Sequence, residues 1–195
     1  MLMRVLVSAF GSDWKLKTLC NDVQNARIKY LLVKLYGLYQ YENSSAIAWN
    51  STFLGKPYFP HGIKTIFISG GARIGRNCII FQQVTIGSNT VPDSKGLGAP
   101  QIGDNCYIGA GAKIIGKVNI GNNVRIGANA VVYTDVPDNS VVLSGQQRTI
   151  VREEQQDNRF YCFRGRWVYF QDGNWCDVVD TAVLADLSGN ATLVA

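Results

Sequence analysis

The 195-residue chain holds a single histidine, His61, in the stretch Phe59-Pro60-His61-Gly62. An imidazole exchanges a proton near neutral pH, so one placed beside a substrate hydroxyl can turn that hydroxyl into a nucleophile. The same ring can equally cap or brace a turn, and the neighbouring residues do not separate the two uses. One histidine also limits the chemistry. Carbonic-anhydrase-type zinc catalysis needs several imidazoles around one metal, which this chain cannot supply even across a symmetric trimer, so no metal is expected. The five cysteines, Cys20, Cys78, Cys106, Cys162 and Cys176, are odd in number and form no Cys-x-x-Cys pair. Neither a disulfide framework nor a thiolate zinc site is expected from them. None stands beside His61 in sequence, so no Cys–His nucleophile pair is expected.

The element that must position His61 follows it immediately. Isoleucine recurs every six residues at 68, 74, 80 and 86, then at 102, 108, 114, 120 and 126, and Val132 continues the series. A small or β-branched residue sits four places after each aliphatic except at the jump: Ala72, Cys78, Val84, Cys106, Ala112, Val118, Val124 and Ala130. A period of six fits neither an α-helix nor alternating strands. It fits a parallel β-helix with three flat sides, in which each hexapeptide supplies one short strand and one corner. Each aliphatic then stacks on its counterpart one coil away, three hexapeptides on, and the coils bury one another's faces as a continuous ladder. Asn77, Asn105, Asn122, Asn123 and Asn129 are spaced for corners that need positive φ.

Three segments frame this coil. Residues 13 to about 41 read as helical, capped by Ser12 or Asp13, with Leu16, Leu19, Val23, Ile28, Leu31, Leu32 and Leu35 spaced for one face. The jump at residues 88–98 reads as an inserted loop containing Pro92, Gly96 and Gly98. Beyond Pro137 the repeat stops, and Phe160 through Asp177 alternates aromatics like a hairpin of two or three strands. The expected division is an N-terminal helical segment at 1–45, a β-helix at 46–150 and an aromatic hairpin with its tail at 151–195. The net charge of +5 comes without a basic run or a nucleic-acid motif, so nucleic-acid binding is not expected. No secretion signal is visible, and Ile28 to Leu38 is interrupted by Lys29 and Lys34, so neither a leader nor a membrane span is expected and the cytoplasm is the default compartment.

From about Ala46 to Ile150 the chain resembles the serine acetyltransferase branch of the hexapeptide-repeat acyltransferase family. The residues that carry this are Ile80-Phe81-Gln82-Gln83-Val84-Thr85-Ile86-Gly87, Ile102 through Lys117, and Ile126-Gly127-Ala128-Asn129-Ala130-Val131-Val132. The resemblance implies that the coil is left-handed, that the protein is a homotrimer with sites between subunits, and that acetyl-CoA is the co-substrate. It places His61 where the family keeps its catalytic histidine. It also carries cofactor contacts onto Gly87, Ser88, Ala110 and Ala128, with Arg148 set to meet a CoA phosphate. Two positions depart from the family pattern. Ala99 stands where a second active-site histidine is expected, and Ala46 where a carboxylate should orient His61, leaving Glu42, Asp93 or a backbone carbonyl for that task.

The function expected from these features is acetyl-CoA-dependent O-acetyl transfer to the hydroxyl of a small molecule or sugar. His61 serves as general base, and amides near Gly87 stabilise the oxyanion. The two missing side chains favour a surface-polysaccharide sugar as acceptor. Serine O-acetylation in cysteine biosynthesis is the alternative. A non-catalytic structural or ice-binding β-helix is less well supported, because only Thr85 and Thr134 lie on the coils where an ice-binding face needs regular threonines.

Overall fold

The computed structural model describes residues 7–90, 96–145, 149–155 and 157–189. Its centre is a left-handed parallel β-helix. The first face stacks Ala46–Ile47, Phe67–Ile68, Thr85–Gly87, Lys113–Ile115 and Val131–Val132. The second stacks Thr52–Phe53, Arg73–Ile74, Gln101–Ile102 and Asn119–Ile120, and the third Ile79–Ile80, Tyr107–Ile108, Arg125–Ile126 and Ser140–Val142. Every rung expected from the period is present. Ile68 pairs with Ile86, and Ile114 with Val132. Ile86 pairs with Ile114 rather than with position 104, because the inserted loop lengthens that coil. The stacked aliphatics are buried, with Ile74, Ile80, Ile86, Ile108, Ile114 and Ile126 all at 0% exposure. That is the condition for non-polar burial to hold so short a set of strands together.

The ladder runs further than the period indicates. Ser140–Val142 lies past Pro137 yet pairs with Arg125–Ile126, so Val142 rather than Ser144 closes the third face. The last coil is shortened, and Val136 bridges Ile120 in the same way. At the corners, Asn77, Asn105, Asn123 and Asn129 have φ of 53° to 58°. Asn122, expected among them, is not of this kind. Its side chain works as a bracket instead: Oδ1 accepts from the Asp104 amide at 2.8 Å, while Asp138 accepts from its own amide.

The expected single N-terminal helix is two, α1 at Asp13–Asp22 and α2 at Ala26–Glu42. The break follows from Asn25, whose Oδ1 accepts from the amides of Arg27 and Ile28 and so starts a new helix. Val23 just before it is extended. Because the break rotates α2, Ile28 and Leu31 are exposed at 50% and 65%, although they were expected on the same buried face as Leu16. Ser12 caps α1, accepting from Lys15. Lys17 ties α1 to the first coil by donating to the carbonyls of Trp49 and Ser51 at 3.0 and 2.6 Å. At the other end, Phe160–Phe163, Trp167–Gln171 and Asn174–Asp177 form a three-stranded antiparallel sheet. It is followed by α3, Thr181–Gly189, which the sequence did not announce. Among the described residues no helix is long and apolar enough to cross a membrane.

Candidate active site

His61 follows a row of chain that lies against the third face. Tyr58 donates to the carbonyl of Cys78 and bridges Ile79, and a turn closed by Gly62 donating to Phe59 then presents the imidazole. Tyr58 and Ile79 being partners, the residue three places after each comes together as well, and these are His61 and Gln82. His61 Nδ1 stands 2.7 Å from Gln82 Oε1. With the amide oxygen facing it, Nδ1 carries the proton and donates, leaving the Nε2 lone pair free as a base. The edge of the ring rests on Phe81, with centroids 5.7 Å apart and planes at 89°. The ring is exposed and lines a cavity of about 340 Å³ with Asp13, Tyr39, Lys56, Phe59 and Phe170.

Gln82 was not foreseen as the residue that holds His61. Neither Glu42 nor a backbone carbonyl takes Nδ1, and Asp93 lies outside the described residues. The reason lies in the register of the first coil, which the period of six does not show. The first coil is offset from the second by the same spacing at Ala46↔Phe67, Thr52↔Arg73 and Tyr58↔Ile79, and that spacing carries His61 onto Gln82.

The positions carried over for acetyl-CoA fall on two opposite edges of the first face. Gly111 donates to Gln82 O at 3.0 Å and Asn129 to Ala110 O at 2.8 Å, so Gln82, Ala110 and Ala128 descend one edge beneath His61. Gly87 and Ser88 lie on the other edge. There Gly116 donates to Gly87 O, and Ser88 Oγ donates to Ser69 Oγ at 2.9 Å. That edge opens into a cleft of about 740 Å³ lined by Gly71, Ser88, Leu97, Ala99, Lys117 and Asn119. The structure thus groups His61 with Ala110 and Ala128, and separates them from Gly87 and Ser88 by the width of the face. Arg148 lies outside the described residues. Ala99, the position of the absent second histidine, stands in the far cleft; a Cβ added at Gly71 would come 2.9 Å from the Ala99 methyl. Ala46 is exposed on the first face, paired with Phe67.

The aromatic residues of the C-terminal sheet divide by face. Phe160, Phe170 and Trp175 surround Tyr58 at centroid distances of 4.9, 4.5 and 5.2 Å, and Phe160 also meets Phe81. They dock the sheet on the coil. On the other face Arg159 lies over Tyr161 and Tyr169 and pairs with Asp157 at 2.8 Å. Burial works to raise the Asp157 carboxyl, but hydrogen bonds from Arg159 and Tyr161 outweigh it and hold the group at about 2.

Comparison with known proteins agrees with the coil. Residues 99–134 match the family described as "Bacterial transferase hexapeptide (six repeats)". The serine acetyltransferase of Bacillus pumilus is 36% identical over 107 residues, covering 54% of this chain and 48% of that protein. That of Staphylococcus aureus is 38% identical over 122 residues, 56% of each. Among solved structures, soybean serine acetyltransferase complexed with serine superposes with a TM-score of 0.61 at 27% identity, covering 71% of this chain and 56% of that one. The Neisseria gonorrhoeae serine acetyltransferase gives 0.60 at 25%, covering 74% and 52%. The chain spans about half the length of the curated relatives it matches. Over the matched region its β-helix resembles that of hexapeptide-repeat transferases, and in sequence and fold it is similar to serine acetyltransferases.

Proposed function

We propose that the protein is an acetyl-CoA-dependent O-acetyltransferase working in the cytoplasm, with His61 as general base. The observation that carries this reading is the His61–Gln82 hydrogen bond, which leaves Nε2 as the free base of an exposed ring that lines the cavity. His61 Nε2 accepts the proton of the acceptor hydroxyl as the oxygen attacks the thioester carbonyl. When the tetrahedral adduct collapses, the C–S bond breaks, and the imidazolium returns its proton to the departing CoA thiolate. Backbone amides around Gly87, contributed by a neighbouring subunit because Gly87 lies across the face from His61 within one chain, supply the oxyanion donors.

The far-edge cleft suits the pantetheine arm of acetyl-CoA. Its lining includes the small residues Gly71, Gly98 and Ala99, a Cβ added at Gly71 would crowd the Ala99 methyl, and Lys117 offers a cation. Because His61 and that cleft lie on opposite edges of one chain, a complete site requires a neighbouring subunit. We therefore assign a homotrimer, in which the Gly87–Ser88 edge of one subunit faces the His61 edge of the next.

The acceptor expected from the two missing side chains was a sugar. The comparisons favour the alternative, since the relatives and solved structures above are serine acetyltransferases, and L-serine is the first acceptor to test. The sugar reading keeps one structural support, the absence of an imidazole at Ala99 and of a carboxylate at Ala46. The test is an acceptor panel of L-serine and hexose and sialic-acid-type sugars with acetyl-CoA, read by release of free CoA. Turnover on L-serine alone establishes the first reading. Turnover on sugars alone establishes the second. No turnover on any member refutes acetyl transfer to these classes.

A further inference from the structure

A second cleft lies on the other side of Phe170, between the coil corner at Asn77 and Asn105 and the C-terminal sheet. Its volume is about 440 Å³, within the ~300–1,000 Å³ typical of small-molecule sites. Five amide side chains line it, those of Asn77, Asn105, Gln155, Asn158 and Gln171, beside the apolar surface of Phe170. Part of their capacity holds the wall together. Asn158 Nδ2 donates to Asn105 O at 2.7 Å, Asn105 and Gln155 both donate to Asn123 Oδ1, and Asn77 Oδ1 accepts from the Asp172 amide.

The remainder is unused. Among the described residues, Asn77 Nδ2, Asn105 Oδ1, Gln155 Oε1 and both polar atoms of Gln171 have no partner within the chain. Asn158, 7% exposed, carries a buried Oδ1 with no hydrogen-bond partner. The two charges in the cleft cancel: Arg159 is pinned to Asp157, which also accepts from Tyr161. The lining is therefore neutral, with donors and acceptors side by side around one aromatic ring.

We propose that this cleft binds a neutral saccharide. A sugar hydroxyl is donor and acceptor at once, and so is a planar amide. A ring of amides thus answers a run of vicinal hydroxyls while Phe170 covers the C–H face of the sugar. An anion is disfavoured there, because Asp157 already neutralises Arg159 through Nε and Nη2. The inference does not rest on acetyl transfer, since binding needs neither acetyl-CoA nor His61.

The test uses the full chain without acetyl-CoA. Binding of maltohexaose, mannohexaose and galactohexaose is measured by saturation-transfer NMR and calorimetry, with a neutral Ala/Ser octapeptide as control. Gln155→Ala and Gln171→Ala remove exposed side chains, and thermal melting verifies that the fold is kept. At least one hexasaccharide should bind, each variant should weaken it about fivefold, and the double variant about 25-fold. His61→Ala should bind it as the parent does, which separates this cleft from the His61 cavity. The proposal is overturned if none of the three sugars binds at up to about 10 mM, if the double variant binds like the parent, if His61→Ala abolishes binding, or if the octapeptide binds in place of the sugars.

Discussion

Replacing Gln82 by leucine takes away the acceptor for His61 Nδ1 while keeping a side chain of similar bulk on the coil corner. The bond is 2.7 Å long and the imidazole is exposed. Water can then replace much of what the amide provides, and the net value of the bond is that of an ordinary one, about 0.5–1.5 kcal/mol. If that energy is spent on holding the ring with Nε2 as the base, kcat should fall about two- to tenfold. Gln82→Glu gives the opposite electrostatic change. A carboxylate beside Nδ1 stabilises the imidazolium and raises the ring's pKa, so the unprotonated base is lost at higher pH. The acid limb of kcat/KM should move upward, with activity reduced on the acidic side and retained on the alkaline side. Both variants are read by CoA release with the acceptor found in the panel, between about pH 5.5 and 9. Because His61 is the sole histidine, the ¹⁵N signals of the ring report its tautomer without ambiguity. Unchanged kcat, pH profile and ring signals in Gln82→Leu would refute the claim that this amide positions the base.

His61→Ala should lower kcat by about 10²- to 10⁴-fold with little change in acetyl-CoA affinity, and parental turnover would remove His61 from the mechanism. Light scattering at micromolar concentration should give the mass of a trimer; a monomer with full activity would sink the inter-subunit site. Ile114→Asp buries a carboxylate between Ile86 and Val132 at a position of 0% exposure. It should cost several kcal/mol, enough to unfold the chain or lower its melting point sharply, and a parental melt would mean the ladder is misassigned. Burial lowers Lys17 from 10.5 to about 8. Between those values the unfolded chain keeps a proton that the folded chain has released, so the contribution of Lys17 to stability rises with pH across that window. The stability of the parent relative to Lys17→Met should therefore improve from pH 8 to 10.5, and a flat difference would show that the amine is not perturbed.

Two departures from the sequence reading have a common origin. The N-terminal helix breaks at Asn25 because a local cap competes with continued helix, and an apolar pattern that runs through the break cannot show the rotation that exposes Ile28 and Leu31. The third face closes on Val142 because the final coil is short, although the period ends at Pro137. In each case the pattern identified the residue types correctly, and a turn changed where they point. The aromatics of the C-terminal sheet show the same limit. Alternation marked them as a sheet, but which face meets Tyr58 and which meets Arg159 depends on docking.

By itself the sequence determined the coil, its rungs and the catalytic candidate. In a hexapeptide repeat a residue's place within six decides whether it faces the core, so burial at Ile68 through Val132 is a local property written many times over. The pairing of His61 with Gln82 and the placing of Gly87 and Ala110 on opposite edges were decided by the tertiary structure. So was the meeting of five amides across the coil and the appended sheet. These juxtapositions depend on how many residues separate successive rows, at the long first coil and at the 88–98 insertion. A change in one loop's length shifts which side chains lie on neighbouring rungs without altering the periodic pattern that builds the rungs.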